Sequence, residues 1–294
     1  MKIYNPKKWF QILFEFHTSD TLRKLGVLIL IIAAYSGLVA FLELHYFDIR
    51  NHPWLKNMNL LHNLLGFALS LLLVFRTNTA YDRWWEGRKL WGALVNNSRN
   101  LAIKMQVLLP KDDIQDRHYF AKMIPLYAAV LKEHLQAEST RLALDDVDHP
   151  EIRNLLQDKH APNQIARLIH HKVIELQNRG LISGEQLLFL NPELMSFTDI
   201  CGACERIKNT PIPYSYSAFI KKFIFIYIMT LPFGYVPQLG YWIMPVVALV
   251  FYILASLEVI AEEIEDPFGT DANDLPMDRI ADNIRKHVVE ILEG

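Results

Sequence analysis

The sequence lacks several features that would assign it to a common functional class. Cys201 and Cys204 are its only cysteines, so no disulfide framework is available. Lys and Arg number 30 against 32 Asp and Glu, and without a basic excess we expect no nucleic-acid partner. Residues 1–20 hold no apolar core followed by a small-residue cleavage site, so we expect no signal peptide.

The sequence is nevertheless rich in apolar residues. Hydrophobic residues make up 51%, the mean hydropathy is +0.11, and 21% of residues are charged, which indicates a membrane part and a soluble part. Residues 25–44, 59–75, 219–236 and 239–260 are apolar enough to cross a bilayer, which takes about 20 helical residues. The basic, aromatic stretch at 7–16 indicates an interfacial segment or an ordinary amphipathic helix.

Basic residues flank the predicted spans unevenly. Lys and Arg precede the first span, follow the second and precede the third, whereas GYVPQLGYW at 234–242 has no charge. The positive-inside rule therefore places both termini in the cytoplasm of a multi-pass inner-membrane protein. We expect residues 1–75 to hold two spans, 76–217 a cytosolic helical domain, 218–260 two more spans and 261–294 a cytosolic C-terminal segment.

An apolar stripe follows the second span. Phe67, Leu71 and Phe75 lie four residues apart and share one face of the predicted helix. Periodicity alone indicates helix packing or lipid contact for such a stripe.

Enzyme-like patterns are weak. CGAC at 201–204 has the spacing of a redox motif, but the thioredoxin-like strand and helix are missing. A zinc site there would need two more ligands, and His170 and His171 are remote in sequence. His134 and the other histidines form no pattern of nucleophile and base, so we expect no enzyme activity.

Four segments resemble a known family. They are FRTNTAYDRWWEGRKLWG at 75–92, CERIKNTPIPYSY at 204–216, LPFG at 231–234 and EDPFGTDANDLP at 265–276. In this order they resemble a bacterial bestrophin along essentially the whole chain. The resemblance implies an all-α homopentameric ion channel in the lipid bilayer, with four transmembrane helices and a cytosolic helical domain from each subunit around one central pore.

The resemblance also implies roles for single residues. It places a narrow pore neck at Phe67, Leu71 and Phe75, where rings of apolar side chains would gate by losing water. It places a second constriction, the cytosolic aperture, near Glu185, with Ile182 as the apolar alternative. Family members differ in charge selectivity, so the permeating monovalent ion is either chloride or another small anion, or a monovalent cation as in bacterial relatives.

The acidic loop after the last span has two interpretations. Eukaryotic bestrophins hold Ca²⁺ after the same PFG landmark, and Asp266, Asp271 and Asp274 match positions of that site. Carboxylates suit Ca²⁺, but the acidic run is short here, bacterial relatives are not generally gated by Ca²⁺, and a solvated acidic turn is the competing interpretation. We expect no required cofactor, with Ca²⁺ as the alternative. A membrane-bound enzyme and a non-conducting membrane scaffold are the competing functions.

Overall fold

The described chain is helical throughout. The computed structural model describes residues 20–46, 54–136 and 160–294, and these ranges contain no strand, so the all-α prediction is confirmed. The α-helices are α1 (Asp20–His45), α2 (Trp54–Leu108), α3 (Ile114–Gln136), α4 (Ala161–Asn178), α5 (Gly184–Asn209), α6 (Tyr214–Leu239), α7 (Ile243–Glu265) and α8 (Met277–Glu293). The stretch at 7–16, for which we expect an interfacial segment, lies outside the described residues.

The chain forms two compact units. The first, here called the apolar unit, contains the described residues within 2–82 and 212–265; the other, the second unit, contains the described residues within 83–211 and 266–294. The boundaries expected after residues 75, 217 and 260 stay a prediction, because they mark where the chain leaves the membrane and not where its internal contacts divide.

The apolar unit is built from helices whose apolar stripes meet. α6 buries Ile220, Ile224 and Ile228, and α7 buries residues at the same four-residue spacing, among them Val247 and Phe251. α1 packs against both helices. Four-residue spacing keeps a stripe on one helical face, so each helix can bury that face against its neighbours.

Three stretches of the described chain are long and apolar enough to cross a membrane, by length and composition: Thr21–His45, Met58–Leu108 and Tyr214–Glu265. The last stretch contains α6 and α7, which are joined by a 3-10 turn at Gly240–Trp242 and pack against each other. α6 has 26 residues and α7 has 23, so each alone has the length of a span. The predicted count of four spans rests on counting these two helices separately.

The apolar unit also leaves many apolar side chains uncovered. Leu30 is 71% exposed, Ile226 is 58% exposed and Leu249 is 58% exposed. Large contiguous apolar surfaces are rare on soluble monomers and mark contact with a membrane or a partner. This exposed apolar surface supports the prediction that the chain is a membrane protein.

The second unit has an ordinary water-excluding core. α3 packs against α4 and α8, and α4 packs against α5. Tyr127 of α3 is fully buried, its ring lies 4.6 Å from that of Phe197 in α5, and its hydroxyl donates to the Phe197 carbonyl at 2.6 Å. The aromatic pair thus ties two helices together without leaving a buried hydroxyl unsatisfied.

Local signals explain where several helices of the second unit begin and end. Ser183 caps α5 in a capping box with Gln186, and each side chain bonds the other's backbone N–H. α4 is followed by Gly180, whose φ of +75° suits a residue without a Cβ. α8 buries a stripe of Met277, Ile280, Ile284, Val288 and Leu292 at helical spacing.

Candidate functional site

The stripe predicted to form the neck lies on the uncovered side of α2. Phe67 is 71% exposed, Leu71 46% and Phe75 55%. Leu69 and Leu73 follow two residues behind Phe67 and Leu71, about 200° around the helix, and are almost fully buried. The apolar unit therefore packs one side of α2 internally and presents the predicted neck stripe away from its own core.

The chemistry of this stripe suits a water-sensitive constriction. Residues 66–75 include no ionisable side chain, and Ser70 bonds back to the carbonyl of Gly66 at 2.8 Å. Gly66 itself lets Tyr227 of α6 approach, because an added Cβ would lie 2.8 Å from the Tyr227 hydroxyl oxygen. The neck assignment of Phe67, Leu71 and Phe75 stays a prediction.

Immediately after the stripe, α2 carries a buried ion cluster that sequence reasoning missed. Arg76 is 1% exposed, and its Nη2 donates to Oε2 of Glu265 at 2.7 Å. Its Nε lies 3.5 Å from Oε1 of Glu258, which is 3% exposed. The other Glu265 oxygen accepts the backbone N–H of Ile212 at 2.6 Å. From the sequence, Arg76 is expected only as one of the basic residues that follow the second predicted span. The acidic residues at the end of α7 are the only sequence signal that it has buried partners.

The family-like segments of the second unit contact one another. Arg83 donates to the carbonyls of Ile207, at 2.6 Å, and Thr210, which lie at the C-terminal end of α5. Trp84 donates its indole N–H to the Asn273 carbonyl at 3.0 Å. The RWW segment of α2 is therefore bonded both to the CERIKNTPIP segment and to the acidic loop.

The three aspartates of the acidic loop differ in environment. Asp274 is 2% exposed, and its Oδ2 accepts the backbone N–H of Asp271. Asp266 accepts the N–H of Phe268 at 3.4 Å. An added Cβ on Gly269 would lie 2.7 Å from Oδ2 of Asp274 and 3.6 Å from Oδ2 of Asp266, so both carboxylates border this glycine.

Burial dominates the electrostatics of this loop. Burial raises the pKa of Asp274 to about 6, opposed by its backbone hydrogen bond and supported by the neighbouring Asp271 and Asp266. A cation would relieve this repulsion, but the loop is also held together by its own hydrogen bonds. Ca²⁺ at Asp266, Asp271 and Asp274 stays a prediction.

The two aperture candidates lie on either side of the Ser183 cap. Ile182 is 2% exposed within the core of the second unit, whereas Glu185 is exposed in the first turn of α5. The Ser183 hydroxyl donates to Oε2 of Glu185 at 2.7 Å, and this hydrogen bond together with a backbone bond lowers the pKa of Glu185. Of these two candidates, only Glu185 presents its side chain to water within one chain.

The cysteines are packing residues in this structure. Cys201 and Cys204 are free thiols, exposed by 1% and 0%. Burial raises the pKa of Cys201 to about 12, so the thiol stays protonated and unreactive at neutral pH. The CGAC spacing thus follows from two small side chains facing one helix–helix contact.

Known proteins match almost the whole chain. The family described as "Bacterial/Fungal Bestrophin protein" matches residues 1–290. A voltage-dependent anion channel-forming protein of Nostoc sp. is 34% identical over 289 residues, which cover 97% of this chain and 92% of the relative. A protein of the same description from Escherichia coli, YneE, is 30% identical over 291 residues, covering 98% and 93% respectively.

The fold matches solved structures as well. The crystal structure of a bacterial bestrophin homolog from Klebsiella pneumoniae aligns with a TM-score of 0.79 and 26% sequence identity. The alignment covers 90% of this chain and 97% of that chain. Sequence and fold comparisons therefore point to one family.

Proposed function

We propose that this chain, which belongs to the bacterial and fungal bestrophin family, is a subunit of a passive channel for small monovalent ions. The observation that carries the proposal is the uncharged stripe of Phe67, Leu71 and Phe75, which one chain leaves exposed on α2. Several chains that turned this stripe toward a common axis would enclose a narrow apolar tube. Such a tube passes ions only while it holds water.

A passive channel explains the chain better than a membrane enzyme or scaffold does. Relatives in Nostoc sp. and Escherichia coli are named as anion channel-forming proteins. An enzyme would need a cluster of reactive groups at the membrane, and the ionisable cluster near the neck, Arg76 with Glu258 and Glu265, is an internally paired one. The proposed channel requires no cofactor for conduction. The alternative is that Ca²⁺ binds at the acidic loop.

Current across a planar lipid bilayer tests the function. Purified protein is expected to give discrete conductance steps in symmetric KCl, unchanged when Ca²⁺ is replaced by a chelator. In a KCl gradient, anion selectivity and cation selectivity give reversal potentials of opposite sign. The names of the relatives favour anions, whereas a ring of Glu185 carboxylates at the cytosolic exit would favour cations. Absence of any protein-dependent current would refute the channel and leave the enzyme or scaffold.

We also propose that both termini and residues 76–217 are cytoplasmic, with the cell membrane as the location. A cysteine at exposed Lys111 should react with a membrane-impermeant maleimide only after the cells are permeabilised. A cysteine at Trp242, in the turn between α6 and α7, should react in intact cells. The native cysteines are buried, so the background is low. The reverse pattern of labelling would contradict the orientation.

The proposed oligomer is a homopentamer, a number that comes from the family resemblance. A single stripe cannot surround an aqueous path, so the channel requires a ring of subunits. Native mass spectrometry of detergent-solubilised protein should give a largest stable species of five times 34.2 kDa, plus bound lipid. A dimer or monomer as the largest species would contradict the pentamer, and another ring size would change only the number.

A further inference from the structure

A cluster of two histidines and one glutamate lies in the second unit, far from the predicted neck along the sequence. His134 belongs to the last turn of α3, His160 caps the start of α4, and Glu205 projects from α5. Both imidazole Nε2 atoms contact the same carboxylate oxygen, Oε1 of Glu205, at 2.6 Å from His134 and 2.5 Å from His160. The two rings are 4.5 Å apart, centroid to centroid.

The three side chains are accessible without being fully solvated. His134 is 15% exposed, Glu205 27% and His160 33%. Burial alone would raise the pKa of the Glu205 carboxyl, but the hydrogen bonds from His160 and His134 outweigh burial and lower it. The carboxylate, contacted by both imidazole Nε2 atoms, is the acidic centre of the cluster.

The hydrogen bonds indicate which imidazole nitrogens carry protons when no metal ion is bound. Nδ1 of His160 accepts the backbone N–H of Asn163 at 3.3 Å, so the ring proton of the neutral imidazole lies on Nε2 and points at Glu205. Nδ1 of His134 is buried without a hydrogen-bond partner among the described residues. A buried nitrogen in this state costs stability, and a cation on Nε2 would change which nitrogen carries the proton.

The ligand chemistry selects a class of metal ion. Two imidazole nitrogens and a carboxylate oxygen suit Zn²⁺ and similar first-row ions, whereas Ca²⁺ and Mg²⁺ prefer oxygen ligands. One potential ligand atom from each of the three side chains lies within 4.8 Å of the others. Tetrahedral coordination at Zn–N and Zn–O distances near 2.1 Å separates ligand atoms by about 3.4 Å, so each Nε2–Oε1 pair needs to open by less than ~1 Å.

We propose that His134, His160 and Glu205 form a binding site for Zn²⁺ or a chemically similar divalent transition-metal ion. Three protein ligands leave one tetrahedral position for water, and the partial exposure of the cluster supplies that water. Because the ligands come from three different elements, the ion would join the end of α3 and the start of α4 to α5. The site resists local separation of these helices when it is loaded.

Metal binding would break local hydrogen bonds, and this cost predicts that the ion binds reversibly. Metal binding through Nε2 requires the proton of His160 on Nδ1, which removes the hydrogen bond from Asn163 and loosens the cap of α4. No second acceptor orients His134 among the described residues. Metal sites without such outer support bind more weakly, so the ion exchanges with the medium instead of being held permanently.

Two substitutions remove ligands while preserving the local structure. Glu205→Gln keeps the shape and a carbonyl acceptor for both histidines but loses the anionic ligand. His160→Asn removes an imidazole and retains a residue suited to capping α4. His171→Asn is the matched control, because His171 is exposed on the same helix and lies outside the cluster.

The test is zinc binding by chelator-washed, detergent-solubilised full-length protein, measured by equilibrium dialysis and by the visible absorption of bound Co²⁺. The parent and His171→Asn should bind one ion per chain, and Zn²⁺ should raise their thermal midpoint. Glu205→Gln and His160→Asn should bind more than about tenfold more weakly. The inference is overturned if the parent binds no stoichiometric Zn²⁺, or if folded ligand variants bind as it does. Neither result depends on ion conduction.

Discussion

Replacing Leu71 with alanine is expected to increase the single-channel current or the open fraction several-fold in planar bilayers. The reason is physical: in the proposed neck a ring of leucines would shed water, and truncating each side chain would widen the tube and let water persist. Charge selectivity should stay nearly constant, because neither a charge nor a dipole is removed. The reversal potential in a KCl gradient measures this second part of the prediction.

A matched variant separates the neck from general loss of packing. Leu30→Ala deletes the same atoms from α1, where the leucine is 71% exposed, and should leave the current unchanged. Both variants must first elute as the parent does in size-exclusion chromatography. If intact Leu71→Ala and Phe75→Ala oligomers conduct no better than the parent, the stripe on α2 is not the gate.

Replacing Arg76 with alanine is expected to cost about 3–5 kcal/mol of stability, the largest loss that we expect from breaking an ion pair in the apolar unit. Arg76 and Glu258 are 1% and 3% exposed, and removal of the guanidinium leaves the buried Glu258 carboxylate without its ion-pair partner. Glu265 also loses its bond of 2.7 Å. Thermal denaturation in detergent, followed by circular dichroism, measures the loss.

An exposed pair in the same unit provides the control. Lys221 and Glu262 lie 2.9 Å apart but are 50% and 56% exposed, and solvent screens such pairs to about 0–1 kcal/mol. Lys221→Ala should therefore melt close to the parent. Equal midpoints for Arg76→Ala and Lys221→Ala would show that the buried cluster contributes nothing beyond an ordinary surface ion pair.

Much of the fold follows from local patterns in the sequence. Apolar residues at three- and four-residue spacing predict amphipathic helices such as α4, and the apolar run at 219–236 predicts the greater part of α6 (Tyr214–Leu239). Such patterns succeed because helix geometry fixes which side chains share a face. They also predicted the shared face of Phe67, Leu71 and Phe75, although spacing alone does not assign that face a role.

The buried ion clusters were not predictable in the same way. Arg76 follows an apolar run, and a basic residue at that place normally extends toward water, so nothing local indicates its burial. Its partner Glu265 lies 189 positions later in the sequence. His134 and His160 are separated from Glu205 by 71 and 45 positions, without the short ligand spacing that marks many zinc sites. Tertiary packing alone brings these groups together.

The uncovered apolar surface of α1, α6 and α7 bears on how the chain is made and retained in the cell. A lone subunit presents Leu30 and Ile226 to its surroundings, and a surface of that kind is a recognition signal for chaperones and proteases. In the proposed channel, insertion into the bilayer would cover part of this surface, and neighbouring subunits would cover more. We therefore expect the amount of mature protein to be set by the rate of assembly, with surplus subunits degraded and not stored.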